Sequence, residues 1–459
     1  MNVSKEKVDG LLERIGIKGI ADKLLPLPEG VYDLSVDNPM LKEHIVTVYP
    51  KTIEDVRLLV GTTLEDGQKN KDNMNFPEAM QAVCEKAMTT EYVKDSAVSY
   101  SDLYQIANEI LHFPRKETEE RIENNEWYQR ARDEILNAAK EVSVLMAQNL
   151  VVKDGETYSI GTNSAVFNSI TIYGSGQIVF TKDQVKLTTN SFKYEPDSKG
   201  NKATGSFGKI IEKASNGRDG VSGNEGRAVY RASDGQDGTA GDDGCGCSYD
   251  STDGGDGQSG TQYNSGENGE HASSGADGND NIYYTFDVLE YSTEDTVVLN
   301  FKGGDGGDGG DGGDGGRGSA GQNGGNGGNG GKNNGCGNSR GGRGGNGGRG
   351  GDGGNGGNGG NGGNGGNGGV VVIQYKEGNK PKFQLNAEGG KAGVGGRSGS
   401  SGKKGASGQP GLGGYGNGGN GVRRENGGQI SGGSDGAEGT PGVPGLPGKA
   451  GSISVYCTA

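Results

Sequence analysis

The chain is 459 residues long; 97 of these are Gly and only 29% are hydrophobic, where Gly usually stands near ~7%. Residues 1–150 have an ordinary composition and the glycine gathers after residue 217, which argues against a single globular enzyme, because an apolar-poor tract cannot offset ordering entropy by itself. A net charge of −15 argues against nucleic acid as the main partner, and no apolar run approaches the ~18–20 residues of a membrane span.

In chain order, residues 1–150 read as a mainly α attachment or assembly domain. Residues 8–15 have amphipathic spacing, and Phe76-Pro77-Glu78 opens a second helix with Pro in an early position. The longest candidate helix is 117–147, with Ile122, Ala131, Ile135, Ala138, Val142 and Leu145 on one stripe. Its mixed charges suit a surface helix packed on one side, with coiled-coil self-association as the alternative. Met1–Gly10 carries charges with no apolar stretch behind them, so no secretory signal is expected. Residues 151–216 then hold short β-branched runs at 165–167, 169–173, 177–181 and 185–188, the expectation being a small β platform.

From Gly303 the chain runs Gly-Gly-X, with X at Asp305, Asp308, Asp311, Asp314 and Arg317, then at Asn323, Asn326, Asn329 and Lys332. The period fails across 333–340 and resumes out of phase, with X at Arg343, Asn346, Arg349 and Asp352 and on to Asn367. Two nearly equal arms joined by a loop make a hairpin, and strand-like runs at 296–301 and 370–375 flank it. The same figure appears at 217–278 and at 390–451, so residues 217–459 read as three hairpins joined by β-strands. A three-residue period is that of the polyproline II or polyglycine II helix, which rises ~3.1 Å per residue and has no internal hydrogen bonds. Such arms must bond one another side by side. The expected fold class is therefore multi-domain: a mainly α N-terminal domain, a small β platform, and a bundle of six polyglycine II helices in three antiparallel hairpins. Hairpin two, richest in Gly-Gly-X, should be central. A disordered glycine tract would not predict matched arms. Collagen is suggested only by the few Gly-X-Pro triplets of 439–448.

Little chemistry is visible. There is no phosphate-cradling Gly-x-x-x-x-Gly-Lys motif, and His44, His112 and His271 stand apart. The Asp305, Asp308, Asp311 and Asp314 ladder lacks the aliphatic residue of calcium-binding glycine repeats and reads as a solvated face. No catalytic residue, metal or cofactor is expected. The hairpin loops do concentrate recognition chemistry: Tyr249 and Asp250; Asn338 and Arg340; and Tyr415, Arg423, Arg424 and Glu425. Cys245, Cys247 and Cys336 would meet at the same end if the arms pack in register, either bridging from Cys336 to one of the other two or remaining thiols.

The Gly-Gly-Asn and Gly-X-Y arms with intervening loops resemble polyglycine II bundle proteins: the receptor-binding tip adhesins of T-even-type phage long tail fibres and, less closely, springtail antifreeze proteins. The likeness covers about 217–451. It implies a structural and adhesive appendage, virion-borne or on a cell surface, with loops meeting a receptor or glycan. Residues 1–150 would join it to other copies or to a fibre or particle protein. A self-assembling filament subunit and an ice-binding protein are the alternatives. Ice binding wants a flat, weakly charged face, whereas the outward positions here are Asp, Asn, Arg and Lys.

Overall fold

The structure, a computed structural model, describes residues 24–61, 87, 100–114, 116–182, 184–196, 209–212, 214–231, 233–244, 250–260, 264–280, 283–292, 296–332, 338–378, 380 and 382–457. The helices expected over 8–15 and from Phe76 lie outside the described residues.

The organising unit is a β coil in which successive strands alternate between two sheets. One sheet is wholly parallel and has six strands, in the order β1 (Asp33–Ser35), β4 (Thr157–Gly161), β6 (Gln177–Phe180), β8 (Lys209–Glu212), β10 (Val297–Asn300) and β12 (Phe383–Asn386). The other has seven: β2 (Ile45–Val48), β3 (Val142–Val152), β5 (Ser164–Tyr173), β7 (Gln184–Glu195), β9 (Tyr283–Tyr291), β11 (Val370–Gly378) and β13 (Ser452–Cys457). It is parallel except where β2 meets β3. From β3 onward each turn of the coil therefore adds one strand to each sheet. Side chains alternate across a strand, and the inward set fills one core between the sheets. Ile160, Ile178, Phe180 and Leu299 meet Phe167, Leu187, Phe286 and Ile373 there, all at most 2% exposed. Burying each such side chain contributes roughly 1.5–3 kcal/mol.

The outward set of β3 and β5, Val144, Met146 and Val166, is covered by helices α1 (Ile53–Val60), α2 (Tyr100–His112), α3 (Lys116–Asn124) and α4 (Glu126–Ala138). The expected helix over 117–147 is broken twice. Asn125 interrupts it as an N-cap, its side chain accepting from the Trp127 and Tyr128 amides at 3.0 and 3.3 Å, and the chain enters β3 at Val142. Val142 and Leu145 satisfy a helical stripe, but the β-branched alternation of Val142 and Val144 suits a pleated strand better.

The expected fold class is thereby overturned. Among the described residues the fold is mostly β, with 23% strand against 13% in four helices, and a seven-stranded mixed sheet stands where a mainly α N-terminal domain was expected. The early helices are not a separate body: their apolar faces are buried against the coil's own sheet. Nor is the β-structure a small platform between two other domains.

The coil also carries the glycine segments. Between β4 and β5 the turn from the first sheet to the second takes residues 162–163, and β6 and β7, which end at Phe180 and begin at Gln184, are as closely spaced. In the next three coils that same turn becomes a pair of long arms: 1 (214–231 and 233–244) and 2 (250–260 and 264–280), 3 (302–332) and 4 (338–369), 5 (387–414) and 6 (423–451). Every third amide in an arm donates to a neighbouring arm. Gly217, Gly220 and Gly223 of arm 1 donate to the carbonyls of Asp305, Asp308 and Asp311 in arm 3, at 2.7–2.8 Å. Arm 3 donates likewise to arm 5, arm 2 to arm 4 and arm 4 to arm 6, all in parallel. Antiparallel bonds such as Gly357 N–H to Gly313 O at 2.7 Å tie the outgoing layer (1, 3, 5) to the returning layer (2, 4, 6). Hairpin 2 is flanked on both sides, and both glycines of its triplets are needed: a Cβ on Gly306 would overlap the Gly363 carbonyl, and one on Gly307 the Arg218 carbonyl.

Sheet register runs unbroken into the arms. Val298 of β10 pairs with Lys209 of β8, 89 residues apart, and arms 3 and 1 keep the separation of 89 from Asp305–Asn216 to Lys332–Asp243. The same holds for 87 between β11 and β9 and arms 4 and 2. It holds for 86 between β12 and β10 and arms 5 and 3, and for 82 between β13 and β11 and arms 6 and 4. The stacked coils thus set the alignment of every arm.

Candidate functional site

Two-thirds of the amides in a Gly-Gly-X arm can donate to backbone of adjacent arms; the X amide is left over. The structure assigns it a partner in the X side chain of the preceding arm. Asp305, Asp308, Asp311 and Asp314 accept from the amides of Lys391, Val394, Arg397 and Ser400 at 2.6–2.7 Å. Asn355, Asn358, Asn361 and Asn364 accept from Ala437, Thr440, Val443 and Leu446 at 2.8–2.9 Å. The ladder is therefore a set of backbone caps and not merely a solvated face. Asp and Asn reach one arm across and no further, as they do in local turn motifs. The Asp305 carboxyl is held below its ordinary value, first by the Lys391 amide and secondarily by Lys302. The sequence signal for this role was present in the choice of Asp or Asn at nearly every X.

The far ends of the hairpins hold the recognition candidates. Tyr249, Cys245, Cys247 and Cys336 lie outside the described residues. Asp250 and Asn338 are exposed. Arg340 is fixed through its backbone, its amide donating to Asp253 Oδ1 at 2.6 Å and its carbonyl accepting from Gly254 at 2.9 Å, while its side chain stays exposed. Hairpin 3 turns over residues 416–422, where Asn417, Gly418 and Gly419 take φ of 47°, 63° and 95°, the left-handed region that favours Gly and Asn. The turn is anchored to hairpin 2: Asn417 donates to the Ser339 carbonyl at 3.1 Å and Gly418 to the Gly330 carbonyl at 2.8 Å.

Tyr415 and Arg423 form a β-bridge below this turn. The Arg423 guanidinium lies 5.3 Å from the centre of the Tyr415 ring, and its Nε donates to the Gly413 carbonyl at 2.9 Å. Arg424 donates its amide to Gly414 at 2.8 Å, and Glu425 faces Arg343 at 3.9 Å. Tyr415 is 41% exposed and Val422 is 90% exposed. The structure thus brings Arg340, Tyr415, Arg423, Arg424 and Glu425 to one end of the bundle, where a stacked Arg–Tyr pair and neighbouring cations offer a firm surface for a polar or anionic group. Sequence reasoning missed Ser339, the buried residue that receives the Asn417 amide.

Among the described residues no group of three His, Cys, Asp or Glu is placed to hold a metal ion, and no helix is long and apolar enough to cross a membrane. Compared with known proteins, the chain matches no family model, no curated protein and no solved structure.

Proposed function

We propose that this protein is a non-enzymatic structural and adhesive appendage, a stiff glycine rod that carries recognition residues away from a β coil. The observation that carries the reading is the anchoring of the hairpin 3 turn on hairpin 2 through Ser339 and Gly330. It makes the tip a continuation of the bundle's hydrogen-bond lattice, so Tyr415, Arg423 and Arg424 meet a partner with little ordering cost. At ~3.1 Å per residue the tip stands about 90 Å from the sheets. The resemblance to tail-fibre tip adhesins supports a place on a virion or a cell surface, with the N-terminal region joining the chain to its particle and a surface receptor or glycan as the target.

The test is adhesion of the intact chain to a panel of cells and arrayed glycans, with Tyr415→Ala, Arg423→Ala and Arg424→Ala beside the parent. The reading expects loss of adhesion in these variants with the bundle still folded, its stability lowered by no more than about 1 kcal/mol. Adhesion that survives all three substitutions would contradict it.

A further inference from the structure

The side of hairpin 3 carries a second feature, separate from the tip. Arms 1 to 4 each cap the next arm with Asp, Asn, Ser or His at the X position. The equivalent positions of arm 5 are Lys391, Val394, Arg397, Ser400 and Lys403, and those of arm 6 include Thr440, Val443, Leu446 and Lys449. All nine are exposed. The capping residues stop where no further described arm follows, and basic and apolar side chains replace them. Charge follows the same direction across the bundle. Hairpin 1 (214–280) has three Arg against thirteen Asp and Glu, whereas hairpin 3 (387–451) has seven Lys and Arg against four Asp and Glu.

Lys391, Arg397 and Lys403 are six residues apart, so they recur about every 19 Å along one straight arm. Lys449 joins the row at its base, where Gly448 donates to Gly390 at 2.9 Å. No ion pair among the described residues involves any of the four. The acids beside the row on arm 6 are Asp435, which accepts the Lys404 amide at 2.8 Å, and Glu438, with Glu425 nearer the tip. On arm 3 they are the Asp305, Asp308, Asp311 and Asp314 carboxylates, each engaged by an amide of arm 5 while the longer Lys and Arg side chains extend past them.

We propose that this face binds an extended acidic polysaccharide laid along arm 5. A linear polyanion matches a linear row of cations. Val394, Val443 and Leu446 between them offer apolar contact to the C–H faces of sugar rings. No aromatic side chain lies within the row from Lys391 to Lys403, so the stacking that single-stranded nucleic acid uses is missing. A second copy is a poorer occupant, because the acids of hairpin 1 that could match the row, such as Asp219, Asp237, Asp256 and Asp277, although exposed, each already accept an amide of hairpin 2.

The intact chain and its K391Q/R397Q/K403Q/K449Q variant are assayed against immobilised heparin, polygalacturonate, neutral dextran and duplex DNA. Expected are salt-sensitive binding of the two acidic polysaccharides, none of dextran, and binding weaker by about tenfold or more in the variant, since four exposed charge contacts are lost. Unfolding of the variant stays at the parent's temperature, and Tyr415→Ala leaves this binding intact, which separates it from the tip reading. Three results would each overturn the proposal: no binding to either acidic polysaccharide at low salt, equal binding by the variant, or duplex DNA bound as tightly. Self-association in sedimentation velocity that the variant abolishes would reassign the row to a second copy and overturn it as well.

Discussion

Replacing Gly313 by Ala is expected to loosen arm 3 from arm 1 and to destabilise the glycine bundle by about 1–3 kcal/mol. A Cβ there would overlap the Asn224 carbonyl, and backbone cannot swing aside as a flexible side chain can. Relief requires parting the two arms around Asn224. That gives up the bonds from Gly223 to Asp311 at 2.8 Å and from Gly226 to Asp314 at 2.7 Å, and the cap from Asp311 to Ser222 Oγ at 3.2 Å. Three bonds at roughly 1 kcal/mol each amount to about 3 kcal/mol. The lower unfolded-state entropy of Ala offsets about 0.4–1 kcal/mol. Asn355→Ala is the comparison, because it removes only the acceptor of the exposed Ala437 amide, which water can replace, and should cost less than about 1 kcal/mol. Native-state hydrogen exchange at Gly223 and Gly226 measures the first, and at Gly356, which donates to the Ala437 carbonyl, the second. If Gly313→Ala left the protection of Gly223 and Gly226 at the parent level, or cost no more than Asn355→Ala, the argument that interarm packing requires Gly would be refuted.

Inserting one residue after Phe301 should shift arm 3 out of register with arms 1 and 5 along its whole length; amide protection across hairpin 2 is then expected to vanish while that of β3 to β7 persists. His112 is fully buried against Tyr283, with ring centres 4.9 Å apart, and its pKa is lowered from 6.5 to about 3, first by burial and then by Lys186. The unfolded chain therefore binds the extra proton between those values, so stability falls as pH drops from about 6.5 toward 3. His112→Phe should flatten that part of a pH-dependent unfolding curve, and an unchanged slope would contradict the assignment. Arg423→Ala should lower bundle stability by about 1 kcal/mol or less, read from the thermal midpoint, because its ring contact and its bond to Gly413 are at the surface.

The glycine phase was legible because it is a steric requirement: Gly stands where a Cβ would strike a neighbouring carbonyl, as at Gly306 and Gly357. Tyr415, Arg423, Arg424 and Glu425 could be placed at a turn because the phase fails around them. The coil was not legible. Runs such as 177–181 announce a strand, but nothing in them says that the partners are parallel and 20 or more residues away. The region before residue 150 was misread for a related reason. Val142 and Leu145 fit a helical period, and only the sheet they join decides for strand. The Asp and Asn ladder looked solvated because its acceptors are amides of another arm, 82 to 89 residues distant in sequence.

The central claim is that stacked β coils align three glycine hairpins into one stiff rod ending in a fixed tip. Electron microscopy of the purified intact chain tests it most directly. The account predicts particles with a straight projection of about 90 Å leaving a compact body at one constant angle. A body trailing density of no fixed length or direction would contradict it.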